Sequence, residues 1–176
     1  MASIFGHALV GATLKEGLYP NQGFRWTLLA VISTMVADID VITFTFGIPY
    51  ESVWGHRGFT HSIAFALGWA MLLVLLFGSK NKLGIAFLLF LATLSHGLLD
   101  AMTNGGLGVA FLAPFDDHRF FAPWRPIQVS PIGASAFFSN WGLKVIVSEL
   151  LWIGIPCSVI WLVTKIYPRK QQADDH

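Results

Sequence analysis

Long apolar runs divide the chain into segments of helix length, separated by short turns or by longer polar loops. A membrane-crossing helix needs about 17–25 consecutive, largely apolar residues. On that rule the pattern predicts five hydrophobic helices, which cover residues 3–18, 26–46, 61–77, 83–102 and 143–164. Stretches rich in turn-forming residues, 19–23 and 78–82, separate the first helix from the second and the third from the fourth.

Two connections are much longer than these turns and lie at residues 47–60 and 103–142. Loops beyond about 12–15 residues without regular structure are usually functional or disordered. The longer connection is rich in Phe, Trp and Pro, so we expect an ordered cap on the membrane interface. A merely interfacial loop is the alternative. We expect a single membrane-embedded domain over residues 1–176, since the chain contains no internal repeat.

The composition supports a membrane protein. Hydrophobic residues make up 55% of the 176 residues and charged residues 12%, whereas roughly 25% are charged in a typical soluble domain. The predicted fold class is therefore an all-α integral membrane bundle in contact with membrane lipids. The net charge is only +1 and no basic cluster is present, so no nucleic-acid partner is expected. The single cysteine, Cys157, cannot form an internal disulfide.

The distribution of Lys and Arg predicts the orientation, because cytoplasmic loops carry an excess of both. With helices of alternating direction, one side of the membrane holds Lys15, Arg25, Lys80, Lys82, Lys165, Arg169 and Lys170. The other side holds Arg57, Arg119, Arg125 and Lys144. We predict that the first side is cytoplasmic. The C-terminus then lies in the cytoplasm, and both long loops face the outer side.

Several ionisable residues stand inside these apolar runs. They are Asp38 and Asp40 in the second helix, His96 and Asp100 in the fourth, and Glu149 in the fifth. A charge in hydrocarbon costs about 2.5–3.5 kcal/mol on insertion scales. The predicted topology brings all of them toward the outer side, with Asp40 about 10 Å deep at 1.5 Å per residue. A buried metal ion gives them a shared reason, because it offsets carboxylate charge and takes histidines as ligands.

The spacing of these residues suggests how they reach a common site. His96 and Asp100 are four residues apart and share one helix face, so a metal can take both, although a buried hydrogen bond between helices is the alternative. Asp38 and Asp40 point about 200° apart on an α-helix and reach one site only if the helix unwinds there. If the helix does not unwind, we expect Asp40 to cap or orient a ligand instead. Two carboxylates near a water-exposed helix end are the remaining interpretation.

Residues 55–62 form the densest polar cluster of the chain. Two imidazoles, His56 and His61, flank the guanidinium of Arg57 around flexible glycines. Arg57 suits bidentate binding of a phosphate or a carboxylate. A polar loop with a helix cap is the alternative.

Three further candidates stand alone. Glu149 has no cationic partner on its own helix, and a protonated carboxyl in an interhelical hydrogen bond is the alternative to a ligand. His7 is a single histidine in the first helix, where a histidine satisfied within the core is the alternative. Arg119 lies in the longer loop, where it could hold an anionic substrate or simply be solvated.

The order and spacing of these residues resemble a known family. The elements of the pattern are His7, Asp38-x-Asp40, His56-Arg-Gly-Phe-Thr-His61-Ser62, His96-x-x-Leu-Asp100, Arg119-Phe-Phe-Ala-Pro-Trp124 and Ser148-Glu149. The pattern is similar to that of the YdjM/YbcI-like membrane-bound metal-dependent hydrolases of bacteria. The resemblance covers nearly the whole chain, and the string from His56 to Ser62 is its most specific part.

This resemblance implies a bacterial inner-membrane hydrolase, so that the outer side is periplasmic. It also implies a distant likeness to zinc-dependent phospholipase C, whose all-helical fold holds zinc ions with His, Asp and Glu. Position by position, the implied metal ligands are His7, Asp38, His56, His61, His96, Asp100 and Glu149. The implied cofactor is one to three divalent ions, with Zn²⁺ expected and Mn²⁺ or Fe²⁺ also compatible with such ligands.

Our functional hypothesis is metal-dependent hydrolysis of a phosphoester in a lipid or lipid-linked substrate. Asp38 or Asp40 is expected to act as general base or proton carrier. Arg57 and Arg119 are expected to stabilise the charge that develops at phosphorus. One alternative is an ion or proton-coupled transporter, because intramembrane Asp, Glu and His also mark transport pathways. Another is a structural metal site closed by four protein ligands.

Overall fold

In the part of the chain that the structure describes, five apolar helical segments make up the bundle. One of them joins an α-helix to a 3₁₀ stretch, and another joins two α-helices through a π stretch. The computed structural model describes residues 1–131 and 134–167. The helices are α1 (Ile4–Leu18), α2 (Phe24–Met35), α3 (Ile63–Phe77), α4 (Lys82–Ala101), α5 (Ala134–Phe137), α6 (Asn140–Glu149) and α7 (Ile155–Ile166). A 3₁₀ segment, Val36–Phe46, continues α2, and a π segment, Leu150–Gly154, joins α6 to α7. A short 3₁₀ helix, Phe59–His61, precedes α3.

The predicted all-α membrane bundle is confirmed. Phe24–Phe46, Lys82–Ala101 and Asn140–Ile166 are each long and apolar enough to cross a membrane, and Ile63–Phe77 is a shorter apolar helix. Among the described residues no β-strand forms, and two isolated bridges lie in the second long loop. This loop is shorter than predicted, because the last segment begins at Asn140. Arg169 and Lys170, used for the topology, lie outside the described residues.

Short polar side chains set where the main helices begin. Ser3, Ser62, Asn81 and Ser139 each precede a helix, and each side chain accepts a hydrogen bond from a backbone N–H of the first turn. Those N–H groups have no partner within the helix itself. Caps matter more in a membrane, where an unpaired backbone group costs several kcal/mol.

The helix α4 lies at the centre of the bundle, in contact with α1, α2 and α3. The largest apolar cluster is buried between α2, α3 and α4, and it consists of Trp26, Leu29, Ala70, Leu73, Val74, Ile85, Leu88 and Leu89. α1 approaches α2 closely at Gly11, where an added Cβ would lie 2.9 Å from the Ala30 carbonyl oxygen. A residue without a side chain therefore lets the two backbones come together, as is common between membrane helices.

Two hydrophobic segments depart from α-helical geometry at ionisable residues. The winding tightens at Val36, shortly before Asp38 and Asp40. On an α-helix, side chains two positions apart point about 200° apart, which leaves about 160° on the shorter way round the axis. With three residues per turn, the shorter angle narrows to about 120°. In the last segment the π winding begins directly after Glu149. Both departures re-aim side chains that the sequence marks as site candidates.

The two long loops are tied to each other and to the bundle. Arg119 donates hydrogen bonds to the carbonyl oxygens of Tyr50, Ser52 and His56, at 2.9–3.1 Å. The backbone N–H of Ala122 donates to the last residue of α4. These bonds hold the loops over the end of α4 that carries the site candidates.

Candidate metal centre

Four ionisable side chains from three parts of the fold meet at the C-terminal end of α4. Asp38 comes from the 3₁₀ segment after α2, His61 from the turn before α3, and His96 and Asp100 from the last turns of α4. One ligand atom of each lies within 4.8 Å of all the others. We call these four residues the metal cluster. His61, His96 and Asp100 have fully buried side chains, whereas the Asp38 side chain is 20% exposed.

The distances within the metal cluster approach those of a four-coordinate ion. Nε2 of His96 lies 3.3 Å from Oδ1 of Asp38 and 3.9 Å from Oδ2 of Asp100. Nε2 of His61 lies 3.7 and 3.8 Å from the same two oxygens. A tetrahedral ion with bonds of about 2.0–2.2 Å separates its ligand atoms by roughly 3.3–3.6 Å. The cluster has this spacing with a slight expansion.

A hydrogen bond on the far side of each imidazole determines which nitrogen faces the cluster. Nδ1 of His96 lies 2.6 Å from the Thr34 carbonyl oxygen. Nδ1 of His61 lies 3.1 Å both from the Thr60 hydroxyl oxygen, whose own hydrogen goes to Asp40, and from Oδ2 of Asp40. Since these oxygens accept, Nδ1 of each neutral ring carries the hydrogen and Nε2 carries the lone pair. Both lone pairs then face carboxylate oxygens, an arrangement that a cation between them stabilises.

Burial and missing hydrogen bonds also indicate a cation. Four facing atoms are buried without a hydrogen-bond partner among the described residues: Asp38 Oδ1, His61 Nε2, His96 Nε2 and Asp100 Oδ2. Buried polar atoms nearly always have a partner, so four on facing positions require an explanation. Burial lowers the pKa of His61, because the charged ring loses its water, and this favours the neutral form that binds metals. The residues therefore fit a divalent ion, and two nitrogens with two oxygens suit Zn²⁺.

A second group of possible ligands, Asp40, His56 and His61, is connected by hydrogen bonds. Oδ1 of Asp40 lies 2.8 Å from Nδ1 of His56, and Oδ2 lies 3.1 Å from Nδ1 of His61. Asp40 also accepts hydrogen bonds from the Thr60 hydroxyl at 2.7 Å and the Arg57 backbone N–H at 3.1 Å. In the described part of the chain, no buried side-chain atom of Asp40 or His56 lacks a partner.

His7 and Glu149 belong to neither group of possible ligands in the described residues. His7 stacks on His96 with ring centroids 3.8 Å apart, and its Nε2 lies 3.5 Å from Oδ1 of Asp100. Both nitrogens of this buried ring lack a hydrogen bond. Glu149 instead accepts hydrogen bonds from the backbone N–H and the hydroxyl of Ser3. His7 thus adjoins the metal cluster, while Glu149 anchors the start of α1.

Arg57 and Arg119 have partners within the protein. Arg57 is completely buried, with Nε 3.0 Å from Oδ2 of Asp100. Its Nη1 donates to the Gly105 carbonyl oxygen and its Nη2 to the Thr103 hydroxyl. Arg119 donates to backbone carbonyl oxygens of both long loops. Both side chains therefore order the loops around the metal cluster, and their expected action on a substrate stays a prediction.

Sequence reasoning missed several groups that build the site. The Thr34 carbonyl and the Ala2 backbone N–H, which donates to Asp100 at 2.8 Å, are backbone contacts that no side-chain pattern could reveal. Thr103 is the hydroxyl partner of Arg57. Thr60 lies between the candidate residues His56 and His61 in the sequence, and this position could have indicated a contact with them.

A family model and a curated relative match the chain over most of its length. The model of the family described as YdjM inner membrane protein matches residues 1–172. The chain is 42% identical over 160 residues to the inner membrane protein YbcI of Escherichia coli (strain K12), covering 89% of this chain and 92% of that protein. No solved structure matches it. The resemblance inferred from the motifs is confirmed, and the chain belongs to the YdjM family of inner membrane proteins.

Proposed function

We propose that this protein is a metal-dependent hydrolase of the inner membrane that cleaves a phosphoester in a lipid or lipid-linked substrate. The metal cluster carries the proposal. Two imidazole lone pairs face two carboxylates, all four atoms are buried without a hydrogen bond, and the chain belongs to an inner-membrane family. Ionisable groups inside a membrane protein are costly and usually functional.

Each residue of the cluster has a distinct part in this proposal. Asp38, His61, His96 and Asp100 would hold the ion, with Zn²⁺ as the first candidate. A divalent ion supplies Lewis-acid charge and lowers the pKa of a bound water toward about 7. Asp38 is the most exposed of the four, so a substrate would approach from its side. Arg57 offsets part of the charge of Asp100 beside the ion.

An apolar cavity supports a lipid substrate. It has a volume of about 240 Å³ and lies between α1 and the segment from α6 into the π turn. Its lining is largely apolar, with Ser3 and Glu149 as the polar residues. Ser3 follows Ala2, whose backbone N–H donates to Asp100 of the metal cluster. A cavity among membrane helices suits an acyl chain attached to a phosphorylated head group.

The charge distribution supports a periplasmic site and a cytoplasmic C-terminus. Lys82 begins α4 and Asp100 lies in its last turn, so the two are about 27 Å apart along the helix axis. Lys80 and Lys82 therefore lie at the end of α4 away from the metal cluster. Positive residues favour the cytoplasmic side, which leaves the cluster on the periplasmic side.

Elemental analysis of detergent-purified protein tests the metal. We expect at least one tightly bound transition-metal ion per wild-type chain, and its loss in His96→Ala and in Asp100→Ala. His118→Ala is the matched control, because His118 is exposed and distant from the cluster in sequence. A wild type that stays folded yet holds no metal, and takes up neither zinc nor manganese, contradicts the proposal.

Turnover tests the reaction. The metal-loaded protein, in vesicles of phosphatidylglycerol and phosphatidylethanolamine, is expected to release a water-soluble phosphorylated product. Asp38→Asn and His61→Ala are expected to abolish the release, and His118→Ala to retain it. A loaded wild type without turnover on phospholipids, lipid-linked phosphates or simple phosphate esters would argue against hydrolysis.

A structural metal site is the second candidate, favoured by the count of four protein ligands. Structural zinc is closed by four ligands, whereas catalytic zinc keeps a position for water. The visible spectrum of the cobalt-loaded protein separates the two. A tetrahedral spectrum insensitive to added anions indicates a closed site, and a spectrum that anions change indicates an exchangeable position.

A further inference from the structure

We propose that Asp40 is a positioning residue that aims His61 at a single metal site, and that Asp40, His56 and His61 do not form a second metal site. The two groups of possible ligands share His61 but differ in their contacts. The inference rests on the metal centre of the proposed function, and is independent of the reaction catalysed there.

The distances separate the two groups. In the metal cluster the facing nitrogens and oxygens are 3.3–3.9 Å apart and lack hydrogen bonds. Around Asp40 the corresponding distances are 2.8 and 3.1 Å, which are ordinary hydrogen-bond lengths. An ion between these atoms would need ligand atoms roughly 3.3–3.6 Å apart. The distances around Asp40 are therefore too short for an ion between the atoms, and they match hydrogen bonds.

The donors around Asp40 explain its function. The buried carboxylate accepts hydrogen bonds from His56, the Thr60 hydroxyl and the Arg57 backbone N–H, and Nδ1 of His61 lies 3.1 Å from its Oδ2. These four contacts occupy the four acceptor positions of the two carboxylate oxygens. Because the Nδ1 hydrogen of His61 points to Asp40 and to the Thr60 hydroxyl oxygen that Asp40 holds, its Nε2 lone pair faces Asp38 and Asp100. A carboxylate behind a ligating histidine sets the ring orientation and raises the basicity of the ligand.

The same carboxylate organises the backbone. Asp40 belongs to the 3₁₀ continuation of α2, while the hydrogen-bond donors to its carboxylate come from residues 56–61. Arg57, whose φ is 64°, presents its backbone N–H to Asp40 and its side chain to Asp100. Asp40 thus connects the loop that carries His61 to the helix that carries Asp38.

Histidine tautomers in the metal-free protein give the first test. We expect the ¹⁵N shifts of labelled histidines to show the Nδ1–H form for His56 and His61 in the wild type, with assignments from His56→Gln and His61→Gln. Asp40→Asn is expected to change the tautomer of at least one ring, since an amide offers a donor where the carboxylate accepts. Nε2–H forms in the wild type overturn the inference, whatever the result for metal binding.

Zinc binding gives the second test. Wild type, Asp40→Asn and His56→Ala are each expected to bind one ion at this centre, with an affinity about 10–100-fold lower for Asp40→Asn. Thr43→Val is the control, because the Thr43 hydroxyl donates to the backbone carbonyl of Asp40 and not to its carboxylate, so the affinity should stay within a few-fold of wild type. Two ions in the wild type and one in Asp40→Asn would establish a second site instead.

Unchanged affinity in Asp40→Asn would also overturn the positioning role. A wild type without zinc overturns both this role and the proposed function, whereas a normal wild type with an unaffected Asp40→Asn overturns the positioning role alone.

Discussion

Nε of Arg57 lies 3.0 Å from Oδ2 of Asp100, and both side chains are completely buried. The same Asp100 oxygen faces the imidazole nitrogens of His61 and His96. One carboxylate therefore connects the loop, the end of α4 and the metal cluster. The guanidinium offsets part of the negative charge that Asp38 and Asp100 bring into the bundle.

Replacement of Arg57 by Gln is expected to destabilise the protein by about 3–5 kcal/mol, because it removes the buried guanidinium that pairs with the Asp100 charge. Thermal unfolding in detergent measures the change. Arg125→Gln is the control, since Arg125 is exposed and lies over the Phe121 ring. Equal effects of the two substitutions would show that the ion pair contributes little.

Replacement of Glu149 by Gln is expected to weaken the attachment of α1. The carboxylate accepts both hydrogen bonds from Ser3, and an amide would place a donor against one of them. A buried group left without a partner costs about 1–3 kcal/mol. Because Ala2 donates to Asp100, we also expect weaker zinc binding. Unfolding midpoints with and without zinc check both effects.

Glu16→Gln is the matched control for Glu149→Gln. Glu16 lies within α1, and its side chain is 43% exposed and pairs with Lys15. We expect a change within about 0.5 kcal/mol. If Glu149→Gln is equally mild and leaves zinc affinity intact, Glu149 does not anchor α1.

Replacement of Gly11 by Ala tests the close approach of α1 to α2. The new Cβ would lie 2.9 Å from the Ala30 carbonyl oxygen, so the helices must separate. We expect a loss of about 1–3 kcal/mol of stability, as for other overpacked sites. Gly68→Ala in α3 is the control, because no atom lies within 4 Å of its added Cβ. There we expect stability unchanged or raised by up to about 1 kcal/mol. Thermal unfolding compares the two, and a Gly11→Ala variant as stable as Gly68→Ala would contradict the tight crossing.

Single cysteines test the predicted orientation. In a Cys157→Ala background, Asp117→Cys reports on the second long loop and Ser79→Cys on the turn before α4; Asp117 is exposed and Ser79 is partly exposed. In intact spheroplasts we expect a membrane-impermeant maleimide to label position 117 and to leave position 79 unlabelled until the cells are lysed. The reverse pattern would place the metal cluster on the cytoplasmic side.

The hydrophobic pattern by itself determined the five helical segments, because run length decides whether a segment crosses a membrane. It also marked the ionisable residues, since each interrupts an apolar run at a cost that needs a reason. Helical geometry predicted that His96 and Asp100 share one helix face, and both lie in the metal cluster. Family membership was likewise readable from local motifs, as the match over residues 1–172 confirms.

Only the tertiary structure decided which of these residues meet, and in what form. Asp38 and Asp40 would diverge on an α-helix, yet Asp38 belongs to the metal cluster and Asp40 contacts its His61, because the 3₁₀ winding after α2 narrows the angle between them. Glu149 has the same signal in the sequence as Asp100, but it binds Ser3. Such differences depend on contacts between distant parts of the chain and on backbone groups such as the Thr34 carbonyl, which sets the tautomer of His96. Local periodicity carries no information about either, because it records the direction of a side chain around its own helix and not what stands opposite.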